Sequence, residues 1–392
     1  MNRTLISNYI NRLMTPVFKY VILLVIINFL FCTNNVTGRD FTYRKGFDAK
    51  ECEEILTLNF AFLDTLKTNT FPGFLEGYSL YYRSDIVGLD NTSDVWLRND
   101  STVVIMLRGT TGKMESILAD FYCSMMPAKG TIILGQGKKF EYRLASDERA
   151  AVHTGFLIGF AFLADELQPK IEQLYNKGYR KFIIGGHSQG GYLCYYMSAW
   201  LMQLREDGVY PDIFVKTYAS AAPKMGNMYF AYDYDNSTHA EWSFSIVNTS
   251  DPVPEMPVTT QQVDIDMNEP NPILNLMKRF DDLPFFKRII LKSAFNKMRR
   301  HARKSSEAYQ KYLGKYLGSV IAKSLPCMKL PQPVKTTYFV RPGVPIILST
   351  NKNYWEYYKD APKYFHHGID PYRFLLRQYY DGLPAFKPIS GY

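Results

Sequence analysis

The stretch KFIIGGHSQGGYLCYYMSAW, Lys181 to Trp200, tightly limits what its surroundings can fold into. KFII reads as a buried strand and YLCYYMSAW as the start of an apolar helix, with only GGHSQGG between them. Gly186, His187, Ser188, Gln189 and Gly190 fit the pattern G-x-S-x-G. A strand that passes straight into a helix puts its serine on a sharp, strained corner, so the positions two either side must lack bulk. That corner lifts the hydroxyl above the carboxyl end of a sheet and aims the Gln189 N–H at a developing oxyanion. Ser188 is therefore a candidate nucleophile on an elbow built by Gly186, His187 and Gly190. The plainer alternative is a solvated serine in a glycine-rich turn.

Strands and helices alternate along the rest of the chain. FDAKECEEILTLNFAFLDTL (Phe47 to Leu66) has helical apolar spacing, and EGYSLYYRS and TVVIMLRG read as strands separated by a polar loop, GLDNTSDVWLRNDS. HTGFLIGFAFLADELQPKIEQLYNKG reads as a long helix closed by Gly178. FVKTYASAAP and EWSFSIVNTSD are predicted strands joined by a polar Tyr/Asp/Asn loop, and TTYFVRP and PIILST are a candidate pair near the end. Short apolar strands alternating with helices predict an α/β fold with a mostly parallel central sheet flanked by helices. No Gly/Ser-rich or Pro-rich linker follows Phe41, and 46% hydrophobic content is ample for one core, so residues 39–392 are expected to form one domain.

A serine nucleophile needs a base, usually histidine, and an acid that orients it. The chain has six histidines, which allows elimination. His187 adjoins the serine and cannot fold back on it. His153 precedes the serine at a helix start, His239 sits in a polar loop, and His301 lies in a basic stretch. His366 and His367, in YFHHGIDPYRFLL, remain, and in this fold class the base comes last. The acid should follow a strand between serine and base. WSFSIVNTSDPVPEMP places Asp251 there, with Pro252, Pro254 and Pro257 to pin the loop, whereas Asp264 and Asp266 have no strand before them. A second oxyanion donor should come from the loop after an earlier strand. TVVIMLRGTTGKMESILADF supplies Thr110 there, unless Thr110 or Thr111 merely caps the next helix.

Six motifs, in order, resemble the class 3 lipases, the α/β-hydrolase family of the secreted fungal triacylglycerol lipases: LRGTTGKMESILADF, VHTGF, IIGGHSQGG, TYASAAPKMGN, VNTSDPVPEMP and HHGIDPY, spanning Leu107 to Tyr372. The resemblance implies the α/β-hydrolase fold, Ser188 as nucleophile, Asp251 as acid, a late histidine as base, and Thr110 and Gln189 as oxyanion donors. The family's last histidine usually has an aromatic five positions on, as His367 has Tyr372, so the resemblance favours His367 and leaves His366 as the alternative base. VHTGF matches a family motif not known for catalysis. The chain departs from the family soon after the oxyanion loop. Glu115 and Ser116 stand where an acidic residue and Trp are common, Asp120 falls about one residue late, and in many relatives this segment is the lid. Tyr192 stands where a small residue is usual.

Residues 1–38 carry only positive charges before an apolar run, Tyr20 to Cys32, broken by Asn28 alone. This reads as a secretory signal peptide or, uncleaved, as an anchor through residues 20–32, and implies a secreted or extracytoplasmic protein. Between acid and base, residues 261–330 are longer than a typical relative would have and are predicted as a helical basic insertion. Residues 277–323 interleave Lys and Arg with Phe, Ile, Leu, Met and Tyr, which fits peripheral contact with an anionic lipid surface, an extra lid over the active site, or a helical pair packed on the body with a solvated basic face. The net charge of +9 would also fit nucleic acid, a partner that an exported chain seldom meets. The sequence has no zinc-ligand spacing, phosphate-binding glycine loop or internal repeat, so neither a metal nor a cofactor is expected. Cys52, Cys123, Cys194 and Cys327 would permit two disulfides, with Cys52–Cys327 the candidate pair and Cys194 a buried thiol. Asn-X-Ser/Thr sites stand at Asn35, Asn91, Asn99, Asn236 and Asn248.

The expected function is hydrolysis of lipid carboxylic esters through an acyl-enzyme on Ser188. The alternatives are a phospholipase, a feruloyl-esterase-like carboxylesterase, or a non-catalytic lipid-binding protein of the same fold.

Overall fold

The computed structural model describes residues 41–63, 76–362, 364–383 and 385–389; the apolar run 20–32 lies outside them. Helix α1 (Ala49–Leu58) starts at Asp48, whose carboxylate accepts the N–H groups of Lys50 and Glu51. Strands β1 (Tyr78–Arg83), β2 (Ser93–Arg98) and β3 (Thr102–Leu107) follow as an antiparallel meander, and α2 (Met114–Phe121) comes after β3. Strand β4 (Met125–Pro127), the hairpin β5 (Lys129–Gly135)–β6 (Lys138–Arg143), and β7 (Ala151–His153), which pairs with β4, lead into α3 (Thr154–Asn176). Then come β8 (Lys181–His187), α4 (Gln189–Glu206), β9 (Phe214–Ser220), α5 (Met228–Thr238) and β10 (Ser243–Asn248). Helices α6 (Pro272–Arg279), α7 (Phe285–Tyr309) and α8 (Leu317–Ser324) lie within residues 261–330. Strand β11 (Val344–Leu348), α9 (Lys352–Tyr357) and α10 (Ile369–Tyr379) close the fold.

The main sheet runs β1-β2-β3-β8-β9-β10-β11, and from β3 onwards its neighbours are parallel. Side chains alternate across it. Val103, Ile105 and Leu107 of β3 share a core with Leu157 and Phe160 of α3 and Leu193 and Met197 of α4. Gly185 of β8 lies instead against Ile55 of α1 on the other face. A mostly parallel sheet with helices on both faces is an α/β-hydrolase-like fold, and Tyr43–Tyr392 form one compact unit.

Several local expectations fail for physical reasons. Part of the loop expected between the first two strands is β2, because the polar letters are buried and paired: Asp94 receives Arg83 through both Nε and Nη2, each at 2.6 Å. The expected loop before β10 contains α5, begun by the Asn227 cap and held by buried Tyr229, Phe230 and Tyr234. TTYFVRP and PIILST do not pair with each other. β11 runs parallel to β10, while Thr337 and Val340 form single bridges to Thr260 and Gly226. The four described cysteines are free: Cys52 is buried in α1 and Cys327 is exposed, so the expected pair does not form. Asn91 and Asn248 are interior, which removes them as glycan acceptors.

Candidate active site

The parallel order places the loops after β3, β8 and β10 at one end of the sheet, and these loops carry Thr110, Ser188 and Asp251. Ser188 has φ 59° and ψ −124°, the strained corner predicted for it. The flanking glycines make that corner possible. A Cβ on Gly190 would lie 2.0 Å from the Leu107 carbonyl oxygen, and one on Gly186 would lie 2.4 Å from the Gly190 carbonyl carbon.

His367 reaches the elbow from the turn before α10. Its Nε2 lies 2.8 Å from Ser188 Oγ and its Nδ1 lies 2.9 Å from Asp251 Oδ2. Asp251 is buried, and its Oδ2 also accepts the Tyr372 hydroxyl at 2.6 Å while its Oδ1 accepts the Val253 N–H at 2.9 Å. The structure thus joins Ser188, His367 and Asp251 in one chain of hydrogen bonds. His366 points elsewhere: its Nδ1 is 2.8 Å from the Tyr354 hydroxyl, and its ring packs against Tyr354, Trp355 and Phe365. The other histidines stand apart from the elbow's hydroxyl. His153 is fully buried beside Phe156 and Tyr192, and burial lowers its pKa to about 3. His239 caps α5 in the left-handed conformation, and His301 is exposed on α7.

Several further residues hold this arrangement, in contacts that the sequence did not assign to them. His187 Nε2 lies 2.6 Å from the His367 carbonyl oxygen and its Nδ1 lies 2.9 Å from Ser220 Oγ. Burial, followed by the charge of His367, lowers its pKa to about 3, so the neutral ring donates from Nε2 and props the His367 turn. Asp90 gathers the loop after β3: it accepts Thr111 Oγ1 at 2.6 Å, Lys113 Nζ at 2.7 Å and Arg108 Nη2 at 3.2 Å. Burial alone would raise the Asp90 pKa, but these donors outweigh it and hold the carboxyl below its usual range. Ser116 bridges the loop after β3 and the elbow, accepting the Thr111 N–H at 3.1 Å and donating to Gln189 Oε1 at 3.2 Å.

Asp120 Oδ2 lies 2.9 Å from Thr110 Oγ1, and burial raises the Asp120 pKa to about 7. When protonated, Asp120 can donate to Thr110 Oγ1 and leave the threonine hydrogen free for an oxyanion. When ionised, it draws that hydrogen to itself. The rate on a soluble ester is therefore expected to fall about tenfold as pH rises through about 7, the worth of one hydrogen bond. Asp120→Asn, measured as kcat/KM against pH, should abolish that descending limb; an unchanged limb would disprove the coupling.

Above these groups lies a cavity of about 810 Å³, lined on its apolar side by Phe62, Phe121, Val253, Met256, Pro257 and Ile369. A cavity of this size with a few convergent polar groups suits a ligand with a long apolar part. Among the described residues, no three His, Cys, Asp or Glu side chains cluster as a metal site.

The fold is α/β-hydrolase-like, and the family match supports a carboxylic ester hydrolase. Residues 104–261 match the model of the family described as Lipase (class 3), a span that includes the loop after β3, the elbow and Asp251 and ends before α6 and His367. That span is similar to the class 3 lipase family, and the match supports hydrolysis of lipid esters. Solved structures similar to the chain include the triacylglyceride lipase of Rhizomucor miehei, at 18% identity and a TM-score of 0.40, covering 55% of this chain and 77% of that one. A triacylglycerol lipase from Penicillium expansum gives 17% identity and a TM-score of 0.40, over 57% and 78% of the two chains. A lipase from Yarrowia lipolytica gives 16% and 0.40, over 55% and 77%. No curated protein matches this chain.

Proposed function

We propose that the protein hydrolyses lipid carboxylic esters, with Ser188 as nucleophile, His367 as general base and Asp251 as the orienting acid. The observation that carries this reading is the hydrogen-bond chain from Ser188 Oγ through His367 to Asp251, at 2.8 and 2.9 Å, on the floor of an apolar cavity. Ser188 Oγ attacks the ester carbonyl carbon as its proton passes to His367 Nε2, and Asp251 stabilises the imidazolium. The N–H groups of Gln189 and Thr110 hold the tetrahedral oxyanion. Collapse of the intermediate releases the alcohol, which takes its proton from His367, and leaves Ser188 acylated. Water, deprotonated by His367, then attacks the acyl carbon and frees the carboxylic acid.

The same reading makes the enzyme an exported one, on the apolar run at residues 20–32, and brings the cations of 277–323 to an anionic lipid surface. The first test is labelling with a fluorophosphonate, read as added mass on the intact chain. Wild type is expected to label and Ser188→Ala is not. A folded wild type that fails to label would remove the proposal.

A further inference from the structure

We infer that α7 is a docking helix that lies on the surface of an anionic phospholipid bilayer, apolar tip first. The lipid-ester reading explains why docking is useful, but the geometry stands without it.

Charge is the first observation. Residues 277–323 carry thirteen Lys or Arg against three Asp or Glu, an excess of ten, more than the +9 of the whole chain. The rest of the protein is therefore close to neutral, and its positive field is concentrated on this segment.

The second observation is how α7 is seated. At about 100° per residue, one side of the helix holds Phe295, Arg299, Ala302 and Ser306, and this side meets the body. Phe295 packs on Phe280, Arg299 pairs with Asp264, and Ser306 bonds Gln262 at 3.1 Å and Thr337 at 3.0 Å. The opposite side, about 100° wide by the same spacing, holds Phe286, Ile289, Ile290 and Ser293 in its first half and Lys297, Arg300 and Lys304 in its second, where the one carboxylate, Glu307, faces Arg303. Phe286 is 78% exposed, Ile290 67% and Ile289 48%. No carboxylate pairs with Lys297, Arg300 or Lys304 among the described residues.

This segregation selects the occupant. Cations alone would suit any polyanion, but large apolar side chains on the same face require hydrocarbon beside the anionic charge. An anionic bilayer offers both at one surface, with acyl chains beneath charged headgroups. A second copy of the chain would bring a like cationic face against this one, and its charges would repel. Among the described residues no helix is long and apolar enough to cross a membrane, so α7 would rest on the surface. Its continuation reaches the active site region: α8 packs Ile321 against Ala119 and Tyr122, at and just after the end of α2, the helix that carries Asp120.

The test uses the full chain carrying Ser188→Ala, so that vesicles are not digested, in co-sedimentation with phosphatidylcholine vesicles with and without phosphatidylserine. Adding Lys297→Glu, Arg300→Glu and Lys304→Glu together is expected to weaken partition onto the phosphatidylserine vesicles about 100-fold. Phe286→Asp with Ile290→Asp is expected to weaken it at least about tenfold. In the otherwise wild-type chain, both sets should leave hydrolysis of a soluble short-chain ester within about twofold, since they lie far from Ser188 in sequence and outside its cavity lining. Equal partition onto both vesicle types, partition that survives both sets, or a dimer dissolved by Phe286→Asp with Ile290→Asp would each overturn the inference. Soluble-ester hydrolysis without vesicle binding would overturn docking alone. Vesicle binding without hydrolysis of any ester would remove the lipase reading and leave docking standing.

Discussion

His367→Ala is expected to lower kcat on a soluble ester by about a million-fold, while His366→Ala lowers it by less than about tenfold. The difference follows from where two adjacent rings are held. His367 has one nitrogen on Ser188 and the other on Asp251, so removing it leaves the hydroxyl with no acceptor for its proton. His366 has its Nδ1 on the Tyr354 hydroxyl and its ring in an aromatic cluster, and its carbonyl oxygen accepts Asn248 Nδ2 at 3.1 Å. Its ring therefore anchors the turn, and losing it costs packing. Steady-state rates of the two variants, with folding checked by circular dichroism, decide the assignment. Equal losses in two folded variants would mean that the rings exchange roles.

That choice shows where the sequence stops being informative. Ser188 and Asp251 were legible because each is marked by a local backbone demand: glycines that must admit a corner, and prolines that stop a loop just past a strand. His366 and His367 share one local context. What separates them is Tyr354 and Asn248 on one side and the Ser188 elbow on the other, contacts made across more than a hundred residues of chain in two cases of three. The supporting groups stayed hidden for the same reason. Asp90 meets Lys113 across a meander, and Ser116 meets Gln189 only once β3 lies beside β8. Strand β2 escaped detection because Asp94 looks solvent-seeking until Arg83 is opposite it. In α5 a helical spacing of buried aromatics sits among Asp, Asn and Ser, and composition alone suggested a loop.

Asp251→Asn is expected to lower kcat by about ten-thousand-fold without unfolding the chain. The carboxylate accepts three hydrogen bonds, two on Oδ2 from His367 and Tyr372 and one on Oδ1 from Val253 N–H. An amide cannot satisfy all three. With its NH2 group at the Oδ2 position it faces two donors, and His367 must turn Nδ1 into an acceptor. Its proton then sits on Nε2, pointing at Ser188, and the base is lost. With the amide reversed, the NH2 group opposes the Val253 N–H instead, and the imidazolium formed during attack has only a neutral oxygen beside it. Tyr372→Phe removes one donor and keeps the charge, so its cost should be about tenfold to a hundredfold. The double variant should lose little beyond Asp251→Asn alone, because the hydroxyl acts through the carboxylate it bonds. The only other sequence candidates for the acid are otherwise engaged: Asp264 pairs with Arg299 on α7, and Asp266 accepts Gln262 N–H and the Thr336 hydroxyl. A folded Asp251→Asn variant that keeps its rate within about tenfold of wild type would therefore leave His367 without an orienting acid, and the mechanism would have to be redrawn around His367 and Tyr372 alone.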